Sequence, residues 1–165
     1  YHNNMQPCQA GQHWQWDDVN FHILHPTTTY YSGKSNDFSC VLKVSTANGK
    51  SILFTGDIEA TTEYHLIQHH PPDLRADILI VSHHGSHSSS TESFIDTVKP
   101  KIALFATGYR NRFGHPHSDI VQRYRRRNIS MWDTVQTGAM SFRLMANGIS
   151  SPRLTREEMR RYWHE

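Results

Sequence analysis

A layered α/β architecture is predicted by three observations. Apolar runs Ile52-Leu53-Phe54, Ile78-Leu79-Ile80-Val81 and Ile102-Ala103-Leu104-Phe105-Ala106 recur at intervals of about 25 residues. The stretches between them suit helices, which is the pattern of strands joined by crossovers. Each run also ends in polar residues: Thr55-Gly56-Asp57, Ser82-His83-His84-Gly85, and a loop from Gly108 to Pro116. Open α/β sheets carry their chemistry at such C-terminal strand ends.

Taken in order, residues 1–17 are polar, rich in Gln, Asn and Trp, and without periodicity, so 1–18 is expected to be a linker or the end of a truncated element. Val19 to Ile23 alternates apolar and polar, the signature of a half-buried strand, and Pro26 ends it. Thr27 to Asn36 is a turn-rich loop. Strands are expected at 39–45 and 50–55, joined by the hairpin signal Ala47-Asn48-Gly49. Residues 58–70 suit a short helix with acidic first turns, stopped by Pro71-Pro72. After the strand at 77–81 comes a helix at 91–98, capped by Ser90 or Thr91. The strand at 102–106 leads to a helix at 118–127, with Ile120, Val121 and Tyr124 on one side and arginines elsewhere. Strands at 129–133 and 139–145 follow, with a turn at Thr137-Gly138, and a mixed-charge helix is expected over 153–163. Residues 19–150 thus form the folded unit and 151–165 a tail.

The bulk properties are those of one folded domain: 165 residues, 36% hydrophobic, 19% charged. No stretch reaches the ~20 apolar residues of a membrane span. A start at Tyr1 suggests a fragment, from which a membrane or targeting segment could have been cut. A net charge of +2 is too small to announce a nucleic-acid partner by itself. Cys8 and Cys40 are too few and too distant for a zinc knuckle. A single disulfide and two free thiols both stand open, with Cys40 placed in the core by the run Cys40-Val41-Leu42.

Among thirteen histidines, those beside glycine at strand ends matter most. Asp57, read alone, is more readily a helix N-cap than a ligand. Beside His83 and His84 it acquires a second meaning, because a carboxylate and an imidazole from neighbouring strand ends can share a divalent ion that activates water. Two adjacent imidazoles followed by Gly85-Ser86 gain little from packing. Gly85 lets the backbone approach an ion closely, and Ser86 can donate to a phosphate oxygen. Adjacent side chains on extended backbone diverge, so one imidazole is expected to ligate and the other to work beside it. His84 is the expected ligand. Asn111 and His115 fall on the same rim, His115 as ligand, substrate contact or bystander, while Arg110 and Arg112 could meet a polyanion. The Arg123–Arg127 run reads foremost as a solvated helix face.

Four motifs in order carry a family resemblance. They are Asn36-Asp37-Phe38-Ser39, Phe54-Thr55-Gly56-Asp57-Ile58-Glu59, Ala76-Asp77-Ile78-Leu79-Ile80-Val81-Ser82-His83-His84-Gly85-Ser86, and Asn111-Arg112-Phe113-Gly114-His115-Pro116. Over about residues 19–145 the chain resembles the C-terminal metallo-β-lactamase-like domain of ComEC-type competence proteins, channels that carry DNA across the bacterial inner membrane. The resemblance implies an αββα sandwich, of which this chain is about the C-terminal half, with a metal site at one edge. It implies that Asp57 bridges two divalent ions (Zn²⁺ or Mn²⁺), that one of His83 and His84 is a ligand, and that Asn36 and His115 line the site. Asp57, His83 and His115 are then the candidate catalytic residues, Asp57 and His84 the metal ligands, and Ser86, Asn36, Asn111 and Arg112 the substrate contacts. The implied activity is hydrolysis of the DNA strand that is not imported. The implied partners are single- or double-stranded DNA and the membrane channel of the same full-length protein, with no organic cofactor. The implied location is the periplasmic side of the inner membrane.

The family's His-x-His-x-Asp-His signature is absent here and belongs upstream of the segment matching Tyr1. Weak metal affinity and little turnover are therefore expected of this stretch alone. A small-substrate metallo-hydrolase of the same fold and a non-catalytic DNA-binding or docking domain remain alternatives. A basic groove of DNA length would separate the first from a nuclease, and indifference of DNA uptake to loss of Asp57 would mark the second.

Overall fold

The computed structural model describes residues 6–27 and 35–159. Seven strands form one sheet in sequence order: β1 (His13–Trp16), β2 (Val19–His25), β3 (Val41–Thr46), β4 (Ser51–Phe54), β5 (Ile78–Ile80), β6 (Ile102–Phe105) and β7 (Ser130–Asp133). The first four run antiparallel, with short turns between β1 and β2 and between β3 and β4, and β4 to β7 run parallel. Parallel neighbours need crossovers, supplied by α1 (Ala60–His69), α2 (Glu92–Val98) and α3 (Ser118–Arg125). The predicted α/β class is as found. The C-terminal ends of β4, β5 and β6 consequently share one edge.

The two faces of the sheet differ. Leu53, Leu79, Ala103 and Phe105 pack with Leu66, Phe94, Ile95, Ile120 and Tyr124 in a single core. On the other face Ile23, Leu42, Phe54, Ile80, Leu104 and Trp132 stand in register across six strands. None of these six joins the core cluster. Phe54 is 39% exposed, and at the sheet margin Trp14 and Trp16 are 47% and 70% exposed. Leu42, Ile80 and Trp132 are half-buried, while Ile23 and Leu104 are buried. An apolar strand face left partly open in this way can seat a further layer.

Several expectations are corrected. His13–Trp16, read as part of a linker or truncated end, pairs with β2, and Trp14 stacks on Phe21 at 5.0 Å. Cys40 is exposed rather than a core residue, and it forms a disulfide with Cys8, Cα–Cα 6.1 Å. The single strand expected over 139–145 is two short ones, β8 (Met140–Ser141) and β9 (Leu144–Met145), after a four-residue helix, α4 (Thr134–Thr137). β9 pairs with β10 (Gly148–Ile149), and β8 pairs with β11 (Arg153–Leu154). The tail helix shrinks to α5 (Thr155–Glu158), its expected end at 160–163 lying outside the described residues, as does 28–34 of the turn-rich loop.

Candidate active site

Asp57 follows β4, His83 and His84 follow β5, and His115 lies in the loop after β6. Their arrival at one edge is the direct result of parallel pairing. His84 Nε2 lies 3.4 Å from Asp57 Oδ1, both side chains a little under half exposed. The other ring nitrogen, Nδ1, donates to the Ala106 carbonyl at 2.7 Å, which leaves Nε2 as the acceptor facing Asp57. The His115 ring centroid lies 5.8 Å from that of His83 and 6.4 Å from that of His84. Burial, then the imidazoles of His117, His83 and His84, hold His115 below its ordinary pKa and favour its neutral ring.

His83 points to a different set of partners. Its Nδ1 lies 3.3 Å from Ser88 Oγ and 3.8 Å from Glu59 Oε1, while Nε2 is 3.5 Å from Asn36 Nδ2. The two imidazoles thus diverge, as adjacency required, though not through extended backbone. His83 (φ 49°, ψ 40°) and His84 (φ 57°, ψ 15°) are both left-handed. Two consecutive non-glycine residues in that region cost about 1–2 kcal/mol each and occur where a site needs them. Gly85 follows at φ +83°, and a Cβ there would meet Pro116 Cβ at 2.8 Å and the Phe105 ring at 3.1 Å. The histidine loop and the His115 loop therefore touch through a glycine that nothing larger can replace without movement.

The segment Asn36–Cys40 organises the rim from behind. Asp37, 1% exposed, accepts from the Glu59 amide (3.0 Å) and the Thr62 hydroxyl (2.9 Å) through Oδ1. It thereby caps α1, whose own N-cap residue, Glu59, makes no side-chain cap. The cap reading of Asp57 is thus excluded, since Asp37 takes that part from elsewhere in the chain. Ser39 Oγ accepts from the Asp57 amide at 3.1 Å. A Cβ on Gly56 would lie 2.7 Å from Ser39 Cβ, so the turn carrying Asp57 sits against this segment. Glu63, fully buried, accepts from the Ser90 and Thr91 amides at 2.6 and 2.7 Å and fixes the far end of the histidine loop. Burial pushes its carboxyl pKa up despite those bonds.

The remaining candidates divide. Ser86 Oγ lies 3.2 Å from Ser88 Oγ and so joins the His83 chain of contacts. The Asn111 amide donates to Gly108 and His115 carbonyls and accepts from the His115 amide, so all of it serves the His115 loop. Arg112 is exposed, its guanidinium 4.8 Å from the Phe113 ring centroid. Arg123 and Arg127 are engaged with Ser90, Asp119, Asp96 and Glu92, the structural reading of that run. Sequence reasoning missed Asp37, Ser39, Glu59, Glu63 and Ser88 as supports. Asp37 and Glu59 lie within the motifs already singled out, and only their burial and bonding reveal the role.

Asp57 and His84 offer an oxygen and a nitrogen suited to a divalent ion. Among the described residues no three His, Cys, Asp or Glu side chains gather to hold one.

The chain is thus an α/β domain with a histidine–aspartate rim at the C-terminal end of its parallel strands. It is 36% identical over 145 residues to Competence protein ComA of Neisseria gonorrhoeae, covering 88% of this chain and 21% of that protein. It is 35% identical over 139 residues to ComE operon protein 3 of Bacillus subtilis (84% and 18%) and 35% over 133 residues to Recombination protein 2 of Haemophilus influenzae (79% and 16%). It belongs with the ComEC-type competence proteins, as the motifs implied, and spans about a fifth of the length of these curated relatives. No protein-family model matches. Among solved structures the chain is similar to a Thermotoga maritima hydrolase assigned to the metallo-β-lactamase superfamily, at 12% identity and a TM-score of 0.40, covering 67% of this chain and 55% of that one.

Proposed function

We propose that this chain is the C-terminal half of a metal-dependent nuclease domain in a DNA-uptake protein, acting on the strand that is not imported. The observation that carries the reading is the convergence of Asp57, His83, His84 and His115 on one rim, with Asp57 and His84 at 3.4 Å. Asp57 and His84 would hold the cation, and the Ala106 carbonyl, accepting from His84 Nδ1, fixes the tautomer of that ring. When bound, a divalent ion, Zn²⁺ or Mn²⁺ and two in the complete domain, supplies charge stabilisation and an activated water. His83, oriented by Ser88 and Glu59, carries a proton to or from the reacting phosphate. His115 lines the site, held by Asn111, while Asn36, Ser86 and Arg112 contact phosphate oxygens.

The partly open apolar sheet face supports the half-sandwich reading, because a second sheet would cover its half-buried Leu42, Ile80 and Trp132 and its exposed Phe54. The names of the relatives support DNA uptake. The Cys8–Cys40 disulfide supports a periplasmic position, since such bonds persist in oxidising compartments. In this reading the domain is tethered to a channel in the inner membrane. No helix among the described residues is long and apolar enough to cross one.

The test extends the chain upstream through the missing half, adds Mn²⁺ or Zn²⁺, and measures cleavage of single- and double-stranded DNA. Asp57→Ala is expected to lower the rate at least ~100-fold, the scale of losing a charge-stabilising group. Cleavage that survives the substitution overturns the mechanism.

A further inference from the structure

The N-terminal ends of the same parallel strands hold a different chemistry. A cavity of about 500 Å³ opens there, lined by Lys43, Lys50, Arg75, Lys99, Lys101 and Asp77. The whole chain has five lysines, and four of them are in this one cavity. Asp77 Oδ1 accepts from Lys101 Nζ at 2.9 Å and Oδ2 from the Ser51 amide at 3.1 Å. Burial pushes the Asp77 carboxyl up, but those bonds outweigh it and hold the group below its ordinary pKa, charged. Asp73 faces Lys43 as a second acidic neighbour. Five cations against these two carboxylates leave an excess of three positive charges, in a chain whose total is +2. The formal charges of the rest of the chain therefore sum close to zero, and this cavity holds a local positive surplus.

We propose that this cavity is a second nucleic-acid contact, a seat for backbone phosphates remote from the histidine–aspartate rim. None of the exposed aromatic side chains lines it, so it has no platform on which bases stack. Lysines are point charges with rotatable donors and suit phosphate without reading sequence. A membrane surface is the poorer occupant, because the site is concave and carries no exposed large apolar side chain to enter the lipid. The burial that lowers the Lys43 pKa also marks a cation that gains from an anionic neighbour. This inference rests on the DNA-handling part of the proposed function and is independent of its metal chemistry.

The experiment measures binding of a short labelled single strand and its duplex to the full chain by fluorescence anisotropy across a salt titration. Parallel arms use vesicles containing phosphatidylglycerol and the charge-reversed control Arg125→Glu/Arg126→Glu. Lys99→Glu/Lys101→Glu is expected to weaken DNA binding by at least ~10-fold and to flatten the log–log salt slope by about one unit per lost phosphate contact. Lys50→Gln/Arg75→Gln gives a smaller loss of the same kind and covers the case in which the first variant misfolds. Cleavage by the upstream-extended protein is measured alongside, so failure of the rim chemistry and failure of this site are read separately. An unchanged slope in both cavity variants overturns the proposal. So does an equal loss in the arginine control, or a loss confined to the vesicles.

Discussion

The two ends of the parallel strands are built on opposite terms. At the C-terminal end the side chains are tightly specified: two left-handed histidines, a glycine against Pro116, and buried carboxylates that hold the loops from behind. At the N-terminal end the groups are long, charged and largely solvated, and one ion pair, Lys101 with Asp77, is their main constraint. The lesson is that catalysis-like chemistry needs fixed angles, whereas phosphate attraction needs only a local surplus of charge. Substitutions should therefore be costly at one end and thermodynamically silent at the other.

The largest effect expected is that of Asp37→Ala. It strips the Glu59 amide and the Thr62 hydroxyl of their buried acceptor, at about 3 kcal/mol by the usual cost of stranded groups. Urea denaturation checks this, with Lys99→Ala as the reference from the other end, expected within about 0.5 kcal/mol of the parent. Equal losses in the two variants would abolish the contrast.

Acid should produce a smaller and one-sided effect. Burial, above all other causes, holds His25 and His65 below the ordinary value of 6.5. The unfolded chain then takes up protons before the folded one, so stability is full above about pH 6.5 and declines as the pH falls through the window beneath it. His25→Gln should shallow that decline in a series of denaturation midpoints.

One substitution at the tightly specified end is expected to change stability little. In His84→Gly, relief of the left-handed backbone offsets the lost bond to Ala106 and the added chain entropy, for a net shift under about 1 kcal/mol. Metal binding by the upstream-extended protein should nonetheless fall at least ~10-fold, as titration calorimetry would show. A variant that unfolds while retaining its metal affinity would mean that the left-handed pair is a structural device alone.

Much of the frame was legible from residue order. The runs at 52–54, 78–81 and 102–106 are apolar on both faces, as central parallel strands are, and polar punctuation marked their ends. The acidic start and Pro-Pro stop bounded α1 to within two residues. The edge strand at 13–16 went unread because its two tryptophans meet open space on one face rather than a core. Cys40 misled for a related reason: it borders a strand whose next residue, Val41, is fully buried, while its own side chain turns out to meet Cys8.

The local pattern determined which residue types arrive at the strand ends, because periodicity and turn chemistry act over a few residues. Tertiary structure alone decided that His84 rather than His83 faces Asp57, that Asp37 caps α1 across 22 residues to Glu59, and that lysines from positions 43 to 101 share one cavity. Those outcomes depend on sheet register and crossover packing, which join residues far apart in sequence, and no short window of sequence contains that information.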